Sequence, residues 1–154
     1  MGSRVPTCGR GTAAPNPRTF VSRYLLDTTV LIDFSKRREP ALSLVRQLLA
    51  RSEELGVCPI NVGEFFTGLT SADRLVWDEF LDLLYYWPIS FAAARQAGIW
   101  RYDFARQGLA LSMTDALVAA VALLENAILL TGNVKDFPMP EIRVVAIANL
   151  LIDE

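Results

Sequence analysis

The chain has 154 residues, of which 52% are hydrophobic and 21% are charged, a balance typical of a folded globular protein rather than a disordered one. Its formal net charge of -2 argues against a uniformly basic surface for nucleic acid, although Lys36, Arg37 and Arg38 form one local basic cluster. The chain contains no histidine, which excludes Ser-His-Asp and Cys-His nucleophiles and zinc sites with histidine ligands.

Residues 1–22 are predicted to be a disordered leader, followed by a single domain at residues 23–154. The first twenty residues are rich in glycine and proline, lack acids and have no apolar core of a secretory signal. The most apolar stretch, 116–130, is interrupted by Glu125 and Asn126. It is shorter than the ~20 residues that cross a bilayer, so no membrane association is predicted.

The first half of the domain is predicted to alternate apolar strands with amphipathic helices. A first strand at 24–27 leads into a short helix through Phe34, and a second helix starts at Pro40. The apolar face of that second helix consists of Leu44, Val45, Leu48 and Leu49. The segment LGVCPI at 55–60 is predicted to be a second buried strand.

Two further helices are predicted from their capping residues. Asn61 is the expected N-cap of the first, with Glu64 three residues later at the spacing of a capping box. Ser71 is the expected N-cap of the second. The apolar face of the second helix consists mostly of Leu75, Trp77, Phe80, Leu81 and Leu84. A short strand at 85–90 follows.

The second half continues the alternation of helices and strands. Ser90 is predicted to cap a long helix that ends near Gly108, and strands are predicted at 127–131 and 142–147. Most of the strands are apolar throughout, as in a sheet buried on both faces. The sequence therefore predicts an α/β fold with a mainly parallel central sheet covered by helices on both sides.

Acidic side chains flank several strands where the carboxyl edge of this sheet is expected. Asp27 ends the first strand, Glu64 follows the second, and Asp115 opens a helix capped by Ser112 before the fourth. Parallel sheets bind ligands beyond this edge. Clustered acids repel and are costly to desolvate, so a hard divalent cation, Mg²⁺ or Mn²⁺, is predicted to offset their charge. Such a cation activates water and neutralises phosphate.

Each acid also has a purely structural interpretation. An acid in the first turn of a helix satisfies free N–H groups, which explains Glu64 or Asp115 taken alone. Asp33 and Asp103 are expected to be ordinary helix acids. Asp27 is harder to explain in this way, because it follows strand residues that are expected to be buried and has no adjacent base.

Polar residues near the strand ends have both a functional and a structural interpretation. Their side chains can orient water, carboxylates or phosphate oxygens, or they can simply cap helices and form turns. These residues are Thr28, Thr29, Thr131 and Asn133.

Three segments together resemble the PIN-domain ribonucleases, and among them the VapC-like toxins of bacterial toxin–antitoxin pairs. The segments are LLDTTVLID, NVGEFFTG and MTDALVAAVALLENAILLTGNVKDF. The resemblance implies a three-layer α/β/α sandwich and a Mg²⁺- or Mn²⁺-dependent endoribonuclease. It implies that Asp27 and Asp115 bind the metal, that Glu64 completes the site or positions water, and that Asp136 acts through water.

The chain departs from the family pattern at two positions. Thr29 stands where the family often has Asn or Ser, which keeps a polar group. Gly132 precedes Asn133, where the family more usually has a polar or basic residue, so no side chain at this position can contact phosphate. Neither departure removes an acid.

The resemblance also implies partners: an RNA substrate, a second copy in a homodimer, and a VapB-like antitoxin that wraps an apolar groove. RNA approaches an acidic pocket only where basic residues flank it. The candidates for this role are Arg37, Arg38, Arg74 and Arg101. The aromatic residues Trp77, Tyr85, Tyr86, Trp87 and Trp100 are expected mostly in the core.

Two other functions fit parts of the sequence. An aspartyl phosphatase or phosphoacceptor would use Asp27 as a nucleophile, but Thr28 and Thr29 fill the places where a second acid is usual, and Lys135 alone supports it. A catalytically silent PIN-like interaction module is the other alternative. The two cysteines, Cys8 and Cys58, lack CxxC spacing, so no disulfide is expected and a reducing cytoplasm is the predicted location.

Overall fold

The structure, a computed structural model, describes residues 21–150. Most of the predicted leader and Cys8 therefore lie outside the described residues, as do residues 151–154. Cys58 is a buried free thiol. From residue 21 to 150, no helix combines the length and the apolar character that a bilayer crossing requires.

The described part of the chain forms a five-stranded sheet. Its strands are β1 (Arg23–Leu26), β2 (Glu54–Val57), β3 (Tyr85–Tyr86), β4 (Ile128–Thr131) and β5 (Val144–Ala146). The spatial order is β3-β2-β1-β4-β5 and every neighbouring pair is parallel, which confirms the predicted parallel sheet. Strand order reverses between β1 and β4. The carboxyl ends of these two strands are therefore the expected place for a ligand.

Helices cover both faces of the sheet. They are α1 (Thr28–Ser35), α2 (Ala41–Ala50), α3 (Pro59–Thr67), α4 (Arg74–Leu81), α5 (Phe91–Arg106) and α6 (Met113–Leu124). Successive strand residues point to opposite faces. Leu25 and Leu129 pack in the core with α5 and α6, whereas Leu26 and Leu130 pack in the core with α1, α2, α3 and α4. The predicted α/β/α sandwich is confirmed.

Two predicted helix caps are confirmed. Ser90 Oγ accepts the N–H of Ala93 at 3.1 Å, and Ser112 Oγ accepts the N–H of Asp115 at 3.1 Å. These bonds satisfy donors that have no partner inside the helix. After α5, Gly108 takes a φ of 81°, a left-handed conformation that glycine adopts at little cost.

The predicted boundary between β2 and α3 is wrong. The sequence predicts a strand through residue 60, but the strand ends at Val57 and the helix begins at Pro59. Proline suits the first position of a helix, because the N–H it lacks has no intrahelical partner there. Asn61 is therefore at the third helical position and is not the N-cap. The predicted Asn61–Glu64 capping box does not exist.

The predicted start of α4 is also wrong. Ser71 lies in a turn in which the N–H of Asp73 donates to the carbonyl of Thr70 at 3.1 Å, and the helix begins only at Arg74. On this later helix Leu75 is 69% exposed, so it does not belong to the apolar face. The other predicted members of that face pack in the core, namely Trp77, Phe80, Leu81 and Leu84.

The third and fifth strands are shorter than predicted. Strand β3 covers two of the six predicted residues, and its pairing ends after the N–H of Trp87 donates to the carbonyl of Val57 at 2.9 Å. Pro88 follows and has no N–H to continue the ladder. Trp87 and Trp100 are buried, and the other three predicted core aromatics are half-buried within the two cores.

Candidate functional site

Asp27 lies at the junction of β1 and α1, beside the carboxyl end of β4. Its N–H donates to the carbonyl of Leu130 at 2.9 Å, which extends the β1–β4 ladder by one residue. Its side chain also caps α1, because Oδ1 accepts the N–H of Thr28 at 2.9 Å. Asp27 is only 8% exposed. One carboxylate thus starts a helix and stands at the edge where parallel sheets bind ligands.

Two threonine hydroxyls hold the other carboxylate oxygen of Asp27. Oδ2 accepts a hydrogen bond from Thr131 Oγ1 at 2.8 Å and one from Thr29 Oγ1 at 3.4 Å. Each hydroxyl in turn accepts a backbone N–H, from Asn133 at 2.9 Å and from Gly132 at 3.0 Å respectively. A backbone N–H can only donate, so both hydroxyl protons are left for Asp27. The loop after β4 therefore fixes this carboxylate.

Glu64 lies on α3, beyond the first turn of that helix. The interpretation of Glu64 as a first-turn helix acid is therefore wrong. Its Oε1 accepts a hydrogen bond from Thr28 Oγ1 at 2.9 Å, which ties α3 to the start of α1. This bond brings Glu64 next to Asp27, and its charge acts on that carboxylate.

Asp115 and Asp136 complete the set of four acids. Asp115 is half-buried in the first turn of α6, so the helix-start interpretation still applies to it. Asp136 ends a short 3-10 turn, Val134–Asp136, and its Oδ2 accepts a hydrogen bond from Asn133 Nδ2 at 2.9 Å. Each of the four predicted supporting residues thus donates a side-chain hydrogen bond to one of the acids. These residues are Thr28, Thr29, Thr131 and Asn133.

The electrostatics show that the acids are neighbours. Burial raises the pKa of Asp27 above its ordinary value, hydrogen bonds from Thr131, Thr28 and Thr29 oppose that rise, and the charge of Glu64 adds to it. Burial likewise raises the pKa of Asp115; a hydrogen bond with Ser112 opposes the rise, and the charges of Asp136 and Asp27 add to it. A cation near these carboxylates would favour their charged forms.

Asn61 is a member of this network that the sequence assigns wrongly, as an N-cap. It is 0% exposed. Its Oδ1 accepts hydrogen bonds from the N–H of Cys58 at 3.2 Å and from Cys58 Sγ at 3.1 Å, and its Nδ2 donates to Thr28 Oγ1 at 3.4 Å. Burial raises the pKa of Cys58 to about 11, so its thiol keeps its proton. The sequence offers one signal of this role: Asn61 precedes Glu64 by three residues, which places the two side chains on one face of the helix.

The basic residues have mixed positions. Arg101 uses its Nε to bond the carbonyl of Leu111 at 2.9 Å, so it anchors the loop before α6. Arg38 forms an ion pair with Asp33 at 3.4 Å, while Arg37 and Arg74 are exposed. Lys135, not among the predicted flanking bases, lines a cleft of about 80 Å³ with both Asp115 and Asp136.

Within residues 21–150, no three acidic or cysteine side chains are arranged as a ready-made metal site. Asp27 is nevertheless coupled through charge to both Glu64 and Asp115, so the three predicted acids lie near one another without forming a closed cage. The donors still suit Mg²⁺ or Mn²⁺, which prefer carboxylate oxygens. Mg²⁺ keeps several waters and usually uses one or two carboxylates, so a closed protein cage is not required.

The raised pKa values predict how stability depends on pH. Both Asp27 and Asp115 have folded-state pKa values above the ordinary 3.8. Their contribution to stability is therefore present below pH 3.8 and is lost as the pH rises through the folded-state values. As the pH rises from 3.8 through the folded-state pKa values, metal-free wild type should lose stability relative to the Asp115→Asn variant. Thermal unfolding across a pH series measures this difference. The exposed helix acid in Asp103→Asn is the control.

A constant stability difference between wild type and Asp115→Asn at every pH would contradict this prediction. A trend of equal size in Asp103→Asn would also contradict it, because that acid lies on the exposed surface of α5.

Comparisons with known proteins agree with this geometry. The PIN domain family model matches residues 24–138, a span that includes all four acids. Ribonuclease VapC19 of Mycobacterium tuberculosis is 28% identical over 117 residues, which cover 75% of this chain and 92% of that protein. The structure of VapBC2 from Rickettsia felis bound to a promoter DNA fragment aligns with a TM-score of 0.71 and 24% identity, covering 80% of this chain and 98% of that chain. A toxin–antitoxin complex from Klebsiella pneumoniae aligns with a TM-score of 0.67 and 25% identity, covering 80% and 97%.

Proposed function

Because the chain belongs to the PIN domain family, we propose that it is a divalent-metal-dependent endoribonuclease, the toxin of a toxin–antitoxin pair. The observation that carries this proposal is the buried carboxylate of Asp27 at the β1–β4 edge, held through both oxygens and close to Glu64 and Asp115. The similarity to a ribonuclease of Mycobacterium tuberculosis supports RNA as the substrate.

In this proposal Asp27 and Asp115 hold one Mg²⁺, or Mn²⁺ in its place, and Glu64 completes the site. When bound, the cation supplies positive charge for the scissile phosphate and acidifies a water molecule for attack in line with the leaving oxygen. The protein contributes orientation: Thr131 and Thr29 fix the carboxylate of Asp27 by hydrogen bonds to Oδ2. The chain has no histidine to act as a general base, so in this proposal the carboxylates accept and donate the protons.

The outer part of the site contacts RNA. Asp136, oriented by Asn133 Nδ2, acts through water at a second position. Lys135 lines the same cleft as Asp115 and Asp136, where an ammonium group suits a phosphate oxygen. Aspartyl phosphatase chemistry is disfavoured, because Thr28 and Thr29 stand where that class usually carries a second acid.

We also propose two protein partners, a VapB-like antitoxin and a second copy of the chain, in the cytoplasm where RNA is available. The toxin–antitoxin complex from Klebsiella pneumoniae supports the first. Helices α4 and α5 carry large apolar side chains that remain exposed, and protein interfaces commonly use such surfaces. The most exposed are Leu75, Val76, Phe91 and Tyr102.

Incubation of the purified protein with RNA tests the nuclease activity. Cleavage should require added Mg²⁺ or Mn²⁺, stop when EDTA is present in excess, and resume when the metal is restored. Electrophoresis measures the loss of intact RNA, and sequencing of the new ends locates the cuts. Equal cleavage in EDTA would contradict metal dependence. Metal binding without cleavage of any RNA would favour the silent interaction module instead.

A further inference from the structure

We infer that Asn61 is a positioning residue that orients Glu64 through the hydroxyl of Thr28. The inference rests on the proposed function, in which Glu64 completes the metal site. A continuous line of hydrogen bonds carries it: Cys58 N–H to Asn61 Oδ1, Asn61 Nδ2 to Thr28 Oγ1, and Thr28 Oγ1 to Glu64 Oε1. The four residues come from the junction between β2 and α3, the start of α1 and one face of α3.

The direction of every bond in this line is fixed by one backbone group. The N–H of Cys58 can only donate, so the amide of Asn61 must turn its oxygen toward Cys58 and its nitrogen toward Thr28. The amide nitrogen can only donate as well. Thr28 Oγ1 therefore accepts from Asn61, and its single proton is left for Glu64 Oε1. The backbone thus determines where the hydroxyl points.

The two ends of the Asn61 side chain have separable roles. The oxygen satisfies the N–H that precedes α3, which is a structural task at the start of a helix. The nitrogen takes no part in that task. Its contact is with Thr28, whose hydroxyl leads to Glu64 and whose N–H leads to Asp27. A residue that served the helix alone would need only the oxygen.

Glu64 needs this support because its side chain is long and its residue lies on the exposed surface of α3. A free glutamate loses rotamer entropy when it is fixed, and that loss weakens any site that depends on it. A donor from the buried side holds one carboxylate oxygen before the cation arrives. Asn61 is fully buried and Thr28 is 9% exposed, so water competes little for these bonds.

A double-mutant cycle between positions 61 and 28 tests the inference. Asn61→Asp keeps an oxygen for the N–H of Cys58 but replaces the donor nitrogen with an acceptor, which draws the Thr28 proton away from Glu64. Thr28→Val removes the hydroxyl while keeping the shape of the side chain. Mn²⁺ dissociation constants from calorimetry, measured for wild type, both single variants and the double variant, separate the pairwise effect from the added charge.

Thr28→Val should weaken Mn²⁺ binding about tenfold, the usual size of losses from removing a partner of a metal-binding side chain. Thr28→Ser keeps the hydroxyl and should bind Mn²⁺ as wild type does. The effect of Asn61→Asp on the Mn²⁺ dissociation constant should differ between the two backgrounds. With Thr28 present, the substitution should weaken binding by several-fold more than it does when valine stands at position 28. Thermal unfolding without metal shows whether each variant is folded, and Asn61→Ala replaces Asn61→Asp in the cycle if the latter is not.

Equal fold-changes for the position-61 substitution in both backgrounds would overturn the inference, as would wild-type affinity in Thr28→Val. Asp27→Asn, titrated in parallel, separates this failure from that of the proposed function. Unchanged Mn²⁺ binding in Asp27→Asn would overturn the metal site and the role of Asn61 with it. Lost binding in Asp27→Asn together with an additive cycle would overturn only the role of Asn61.

Discussion

Replacing Asp27 with asparagine should abolish Mn²⁺ binding and slow RNA cleavage by about three orders of magnitude. A bound metal stabilises charge in the transition state by several kcal/mol, and each 1.36 kcal/mol corresponds to about tenfold in rate. Asparagine has no charge, and its NH2 group faces two hydroxyls that both need an acceptor. The fold should survive, because asparagine caps a helix as well as aspartate does.

Calorimetry with Mn²⁺ and a cleavage assay measure the two losses side by side. Asp115→Asn should behave as Asp27→Asn does, whereas Asp103→Asn should bind and cleave normally, since that acid lies exposed on α5. Induced expression of wild type should arrest bacterial growth, and expression of Asp27→Asn should not. Unchanged Mn²⁺ binding in both Asp27→Asn and Asp115→Asn would reject the assignment of the metal ligands.

Features of the fold that depend on local chemistry could be predicted from the sequence. The predicted strands at 24–27 and 127–131 match β1 and β4 within a residue, because strands buried on both faces are mostly apolar. Ser90 and Ser112 cap the helices they were expected to cap. Asn61 and Ser71 have the same cap chemistry but do not cap, because Pro59 begins one helix earlier and a turn at 71–73 delays the other.

The contacts within the candidate site could likewise be predicted only in part from the sequence. The sequence brings Asp27, Glu64 and Asp115 to one sheet edge, and it identifies hydroxyls near them. It does not reveal which hydroxyl meets which acid, because those bonds join distant positions: Thr131 and Asp27 are separated by 104 residues, and Asn61 and Thr28 by 33. Such pairs are set by strand order and helix rotation. The capping-box pattern at Asn61 and Glu64 therefore predicted a local bond where both residues instead bond to Thr28.

Gly56→Ala should destabilise the protein by about 3 kcal/mol, the upper end of the usual cost of overfilling a core. A Cβ at this position would lie 2.2 to 2.5 Å from three ring carbons of Trp87, far inside contact distance. The ring cannot easily move away, since Trp87 is 3% exposed and stacks on Tyr85 at 6.2 Å between centroids. For a chain of this size the expected fall in Tm is roughly 10 °C.

Gly98→Ala is the matched control for this prediction, because a Cβ there meets no atom within 4 Å and the residue lies inside α5. Alanine should stabilise that helix by about 1 kcal/mol, so the same chemical change should have opposite effects at the two glycines. In a Trp87→Leu background, Gly56→Ala should cost less stability than it does in wild type, because the smaller side chain leaves room for the methyl group. A Gly56→Ala protein as stable as wild type would mean that β2 and β3 can separate at this point. Since β2 leads directly to Cys58 and α3, such freedom would also loosen the position of Glu64.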